Sequence, residues 1–287
     1  AEITMEANPG TVSLEQMKLC RKASINRISL GLQSTVQQEL DMLGRIHTYE
    51  EFLQSYHWAR KAGFSNINVD LMFAIPGQTC ENWKHNLETI AELSPEHISA
   101  YSLIIEEGTP FAQKKLILPT EDEEYQMYED TAEILRKYGF HQYEISNYAR
   151  DGFECRHNKG YWQRTEYLGA GLGAASLFQG KRFSNTRDMQ TYLADSTEPE
   201  KIREDVTTLS RNNEIEEFMF LGLRMTEGIS ERQFERNFGC RIEDIYGSVL
   251  AKYKEMDLLE HTGEFWRFTR KGIHVSNPVL ADFLLDE

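Results

Sequence analysis

Short β-rich runs alternate with amphipathic helices at roughly 30-residue spacing through the first 110 residues, and this constrains the fold more than any other feature of the chain. Strands are read at residues 1–7, 27–33, 68–74 and 97–103. Helices lie between them, opened by the capping pairs Ser13/Gln16, Thr35/Gln38 and Thr48/Glu51, with a stop at Gly63. A further helix falls near residues 81–93, and a long one opens at Thr120/Glu123 and ends at Gly139. Strand–helix alternation of this period builds parallel βαβ units, hence an α/β fold: a helix-covered sheet, or a barrel that is incomplete in this chain.

In such folds the carboxyl ends of the strands share one rim, and the rim carries the ligand site. Glu6, Gln33, Asp70 and Ser102 fall at those ends. A carboxylate on a strand covered on both faces would cost several kcal/mol, roughly, without a partner. Glu6 and Asp70 therefore read as site residues.

Residues 140–185 hold Cys155 followed by Arg156-His157-Asn158-Lys159-Gly160-Tyr161-Trp162. An imidazole four and five residues ahead of two large aromatics offers an axial nitrogen and flat apolar surface, which suits a planar iron-bearing ligand such as haem. Leu168-Gly169-Ala170-Gly171-Leu172-Gly173 follows; it reads as a tight turn, with a phosphate cradle as the other option. Domain boundaries are expected at 1–185 for the partial barrel with the aromatic motif, 186–210 for a polar linker, and 211–287 for a helical, winged-helix-like domain.

The formal charge of −15 opposes a nucleic-acid partner, because phosphate binding needs clustered Lys and Arg. No run of about 18 apolar residues is present and no charged-then-apolar leader, so a cytoplasmic protein without a membrane span is expected. The four cysteines, Cys20, Cys80, Cys155 and Cys240, are scattered, with no metal-type spacing. The first residue is Ala, and residues 3–6 read as the inside of a strand, so the N-terminus is expected to be a cut.

Five segments occur in order: Glu6-Ala7-Asn8-Pro9, Gly31-Leu32-Gln33-Ser34, Leu43-Gly44-Arg45, Asp70-Leu71-Met72 with Pro76-Gly77-Gln78-Thr79, and Glu107-Gly108-Thr109-Pro110. Together they resemble the radical S-adenosylmethionine (SAM) proteins related to oxygen-independent coproporphyrinogen III oxidase. His157-Asn158 with Tyr161-Trp162 resembles the mark of the HemW-type haem chaperone branch. The resemblance implies that Glu6 meets the amino group of SAM, Gln33 and Asp70 its ribose hydroxyls, and Arg45 its carboxylate. It further implies haem at His157, with Cys155 as the competing iron ligand and Tyr161 and Trp162 flanking the ring. Haem-dependent acceptor proteins would be partners, and a homodimer stays open. The family's [4Fe–4S] cluster sits on a Cys-x-x-x-Cys-x-x-Cys run that this chain does not contain, so it resembles a fragment lacking the first one or two βα units. Oxidative decarboxylation of porphyrinogen propionates is the alternative function within the family.

Overall fold

A computed structural model describes residues 1–109 and 111–285, so Pro110 of the fifth segment lies outside the described residues. The chain divides into two units, residues 1–154 and 155–287.

The first unit holds strands β1 (Thr4–Ala7), β2 (Arg27–Gln33), β3 (Ile67–Phe73), β4 (His97–Ser102), β5 (His141–Gln142) and β6 (Asn147–Ala149). Its helices are α1 (Leu14–Lys22), α2 (Gln37–Met42), α3 (Tyr49–Ala62), α4 (Cys80–Glu92) and α5 (Glu121–Lys137). The strands form one sheet in the order β1-β2-β3-β4-β6-β5. β1 to β4 are parallel, while β6 pairs antiparallel with both β4 and β5. Among the described residues the sheet is open and mixed, with no closed barrel.

The residue alternation of the strands explains why the sheet is two-faced. Ile28, Leu30, Leu32, Ile67, Val69, Leu71, Phe73, Ile98 and Ala100 belong to one buried cluster with Met17, Phe52, Trp83, Leu87 and Leu135 from the helices. The alternate residues are polar: Glu6, Ser29, Asn68 and His97 stand side by side, followed one pleat on by Gly31, Asp70, Ser99 and Asn147. Burying the apolar face on helices is the main stabilising term, at about 25 cal/mol per Å². The polar face is thereby left for a ligand.

Three helices start as the capping pairs predict, with Ser13/Gln16, Thr48/Glu51 and Thr120/Glu123 each forming a reciprocal box. α3 ends at Gly63, which adopts φ +94°. Thr35 does not cap α2; Val36 occupies that position with no side-chain bond. The Thr35 hydroxyl and amide instead both donate to Asn86 Oδ1, at 2.5 and 2.6 Å, and the stronger tertiary partner takes the side chain away from the helix end.

The second unit begins with α6 (Arg156–Trp162), then β7 (Ala175–Phe178), β8 (Lys181–Asn185), α7 (Met189–Asp195) and β9 (Arg203–Thr208). β7, β8 and β9 form an antiparallel sheet. Residues 186–210, expected as a linker, therefore contain a helix and the third strand of this sheet. The boundary falls at 154/155, not at 185. The polar composition that suggested a linker belongs to an exposed edge strand, whose residues 204–208 all face solvent.

α8 (Arg211–Gly222), β10 (Ile229–Ser230), α9 (Glu231–Phe238), α10 (Ile242–Glu255), β11 (Leu259–Thr262), β12 (Phe265–Phe268), α11 (Arg270–His274) and α12 (Ser276–Ala281) complete the unit. Three helices followed by a ribbon, with β10 added to β12, is the winged-helix-like order expected from the sequence. Its core gathers Phe218, Phe234, Tyr246, Leu250, Trp266 and Phe283. Gly228, at φ +81°, is forced by contact: a Cβ there would lie 2.1 Å from the carbonyl oxygen of Trp266.

Candidate functional site

The polar face of the first unit brings together three of the four predicted rim residues, Glu6, Gln33 and Asp70. Glu6 is exposed on β1, the edge strand. Asp70 on β3 is partly buried and accepts from Asn68 Nδ2 at 2.6 Å and from the Ser29 hydroxyl at 3.1 Å. Burial pushes its carboxyl above the usual aspartate value, the bonds from Asn68, Ser29 and Ser99 pull it back, and the Glu6 charge adds to the rise. The Glu6 charge raises the proton affinity of Asp70, and two acids on one polar face favour a cation.

A bulge shapes the end of β2: Gly31 pairs with Asp70, but Gln33 pairs with Leu71, so Leu32 is skipped. Gln33 is buried and holds φ +77°, a conformation rare for a residue with a Cβ. Its Oε1 accepts from the Tyr101 hydroxyl at 2.8 Å. A Cβ at Gly31 would stand 3.2 Å from Gln33 Nε2, 3.6 Å from Asn8 Oδ1 and 4.0 Å from Asp70 Oδ2. The glycine leaves open a small space walled by those three polar groups.

Arg45 follows α2 in a turn that its sequence dictates. Gly44 takes φ +70°, its amide donates to Asp41 O at 3.0 Å, and the Arg45 amide donates to Leu40 O at 2.9 Å. That pairing is a Schellman helix end. The Arg45 charge acts on Tyr101, whose hydroxyl is pushed up to about 12, first by burial and then by the neighbouring Asp70. Ser102 does not join the group. It lies opposite Phe73 in the sheet, and its hydroxyl donates to Glu124 at the start of α5.

The chemistry of these residues is compatible with SAM: an exposed acid, Glu6, for an ammonium, the Gln33 amide and the Asp70 carboxylate beside the space at Gly31 for hydroxyls, and the Arg45 guanidinium for a carboxylate. An iron–sulfur cluster fits nothing here. Among the described residues no group of three or more His, Cys, Asp or Glu side chains could hold a metal ion.

In the second unit, α6 carries the aromatic motif. His157 and Tyr161 are one helical turn apart and exposed, their rings edge-on at a centroid distance of 4.5 Å; Tyr161 meets Tyr167 in the same way at 4.6 Å. Trp162 points elsewhere. Five residues from His157, it leaves the shared helical face and lines a small cavity with Phe218, Gly222, Met225, Ile229 and Phe265. The Arg224 guanidinium lies 5.7 Å from its ring centre. The structure thus joins His157 with Tyr161 and separates both from Trp162. Cys155 caps α6 from a buried position, 4% exposed.

The glycine-rich segment is a packed turn, and its amides are committed. Gly169 N donates to Ser176 Oγ at 3.0 Å, Gly171 N to Tyr192 Oη at 3.0 Å and Gly173 N to Thr186 O at 3.1 Å. A Cβ at Gly169 would lie 2.3 Å from Ala175 O, so close backbone approach accounts for that glycine.

Residues 1–90 match the radical SAM superfamily, and residues 209–275 match the HemN C-terminal domain. Heme chaperone HemW of Lactococcus lactis is 40% identical over 290 residues, an overlap covering 100% of this chain and 76% of that protein. The chain belongs to the HemW family. Other members agree: Heme chaperone HemW of Bacillus subtilis is 38% identical, covering 99% of this chain and 76% of that protein, and that of Escherichia coli is 32% identical, covering 100% and 75%. In fold, this HemW-family chain matches coproporphyrinogen III oxidase (HemN) of Escherichia coli with a TM-score of 0.84 at 21% identity, over 99% of this chain and 70% of that one.

Sequence reasoning missed three residues of the HemW-family rim. Tyr101 shares the parity of His97 and Ser99, so counting by twos along β4 finds it. Asn8 was inside a quoted segment without a role. Glu39, buried on α2, carried no local signal at all.

Proposed function

We propose that this chain forms the SAM-binding and haem-binding parts of a haem chaperone, a protein that takes haem and delivers it to haem-dependent enzymes. The observation that carries the reading is the exposed His157 imidazole set edge-on against Tyr161 at 4.5 Å, in a chain whose HemW relatives are named as heme chaperones. His157 supplies the axial nitrogen. Tyr161 and Tyr167 supply the apolar surface beside it. Cys155 is the weaker candidate, because iron cannot approach a thiol 4% exposed without displacing the start of α6. Trp162 supports the motif from beneath, packed with Phe218, Met225 and Ile229.

On the first unit, Glu6 takes the SAM ammonium, Gln33 and Asp70 its ribose hydroxyls, and Arg45 its carboxylate. These residues would hold and orient SAM and offset its charges, and SAM would supply the family's radical chemistry only with a [4Fe–4S] cluster, for which the described residues offer no ligand set.

A haem titration read by absorbance tests the reading. The expected result is a saturable one-to-one Soret shift that His157→Ala weakens at least tenfold and Cys155→Ala leaves unchanged. Equal binding by His157→Ala removes this histidine as the ligand. Turnover of coproporphyrinogen III in place of stoichiometric haem binding would return the protein to the oxidase branch.

A further inference from the structure

His47 is buried at 3% exposure and lies two residues beyond Arg45, between the end of α2 and the cap of α3. Its Nε2 lies 3.1 Å from the carbonyl oxygen of Leu32. A carbonyl can only accept, so Nε2 carries the proton. Leu32 is the residue that the β2–β3 register skips, and the next residue is Gln33 in its left-handed conformation. A buried carbonyl at such a bulge needs a donor from outside the ladder. His47 provides one, and the same bond ties the turn that carries Arg45 to the bulge that carries Gln33.

We propose that His47 is a positioning residue for SAM: it fixes Arg45 and Gln33 at their relative spacing by clamping the Leu32 carbonyl. The proposal rests on the reading of the polar face as the SAM site. Other contacts hold each part singly and do not replace the clamp. Gly44 shapes the Arg45 turn and Tyr101 holds the Gln33 amide, but neither joins the two. The buried Glu39 network grips α2 and Ser34 from the far side of Gln33, through Gln78 and Asn86. With that side fixed, the hydrogen bond that ties the loop from Gly44 to Thr48 to β2, among the described residues, is that of His47. Burial draws the imidazole below its ordinary value, which keeps it neutral as a single-proton donor.

The test uses the intact protein with S-adenosylhomocysteine as the probe, which retains the ammonium, carboxylate and ribose. His47→Leu fills the space but donates nothing; His47→Gln places an Nε2–H at similar reach. Arg45→Ala and Asp70→Asn report on the site itself, and hydrogen exchange of the amides of residues 31–34 and 43–48 reports on the clamp. The expected result is about tenfold weaker binding and faster exchange in both segments for His47→Leu, with His47→Gln restoring both. Weakening by Arg45→Ala and Asp70→Asn alongside wild-type binding by His47→Leu overturns the positioning role and leaves the site standing. If Arg45→Ala and Asp70→Asn bind as wild type does, the site reading fails; unchanged exchange in His47→Leu then overturns the clamp as well. A merely structural histidine would lower thermal stability in both variants without the recovery of affinity in His47→Gln.

Discussion

Asp70 stands on the polar face among neutral donors, with a second carboxylate, Glu6, close enough to raise its proton affinity and, among the described residues, no cation bonded to it. Its folded-state pKa lies above the usual 3.8, so folding favours the protonated form. The associated stability is complete below 3.8 and is lost as pH rises through the raised value. At neutral pH the ionised carboxylate is a cost that ligand binding offsets. Asp70→Asn is therefore expected to raise the melting temperature at pH 7.5, with a gain that shrinks toward pH 4, while weakening S-adenosylhomocysteine. A lower melting temperature at pH 7.5 would mean that the bonds from Asn68 and Ser29 outweigh burial. Gly31→Ala probes the same space sterically: its Cβ, 3.2 Å from Gln33 Nε2, displaces the amide. Binding should fall at least fivefold in an equilibrium titration, with a melting temperature close to wild type, because only a side-chain end must give way.

α2 is held by one residue that its own sequence hides. Glu39 Oε2 accepts from Ser34 Oγ at 2.6 Å, Gln78 Nε2 at 2.9 Å and Asn86 Nδ2 at 3.2 Å, which binds the loops after β2 and β3 to α4. Glu39→Ala removes the shared acceptor of three buried donors, of which Asn86 Nδ2 has no other acceptor among the described residues, and should cost about 3 kcal/mol in urea unfolding. By comparison, Thr48→Ala removes one box at the start of α3 and should cost about 1 kcal/mol, recovered by Thr48→Ser. A Glu39→Ala cost as small as that of Thr48→Ala would show that the network adds nothing beyond packing. The two cases also mark where the sequence is legible. A capping box is local, three residues apart, and Thr48/Glu51 is readable without a fold. Glu39 sits among polar residues of a six-residue helix, and its burial is decided by Gln78 and Asn86, some 40 residues away. Thr35 misleads for the same reason, since Asn86 takes its hydroxyl. Gln33 was legible as a strand end from the parallel βαβ order, whereas Asp70, expected at a strand end, lies in the middle of β3 beside Gly31. Ser102 has the wrong parity for the polar face, as the same count by twos along β4 that finds Tyr101 would show, and it pairs with Phe73. In the second unit, helical spacing separates His157 and Tyr161 from Trp162, yet adjacency in sequence makes the two aromatics look like one surface.

Across the whole molecule, two cores of different character respond differently to acid. The polar layer of the first unit includes His97, fully buried, its Nδ1 2.6 Å from Asn68 Oδ1 and its Nε2 2.8 Å from Tyr143 Oη. Burial holds the imidazole well below 6.5, and the Arg27 charge lowers it further. His47 is depressed in the same direction. The sign follows from linkage: the unfolded chain binds these protons more readily than the folded one, so the stability they confer is full above 6.5 and is lost as pH falls below it. Asp70 acts oppositely, gaining stability as pH falls through its raised value, so the histidine contribution is read from the difference between wild type and a histidine variant. The apolar core of the second unit, built around Phe218, Phe234, Tyr246 and Trp266, includes no histidine among its described buried residues. Hydrogen exchange followed from pH 7.5 to 5 should therefore show peptides of the β2–β4 sheet losing protection while those of α8 and α10 keep theirs. His97→Gln should lower protection of the sheet at pH 7.5, through loss of the Tyr143 and Asn68 bonds, and flatten its decline below 6.5. Parallel decline in the variant and the wild type would assign the acid sensitivity to groups other than His97, with His47 the next to substitute.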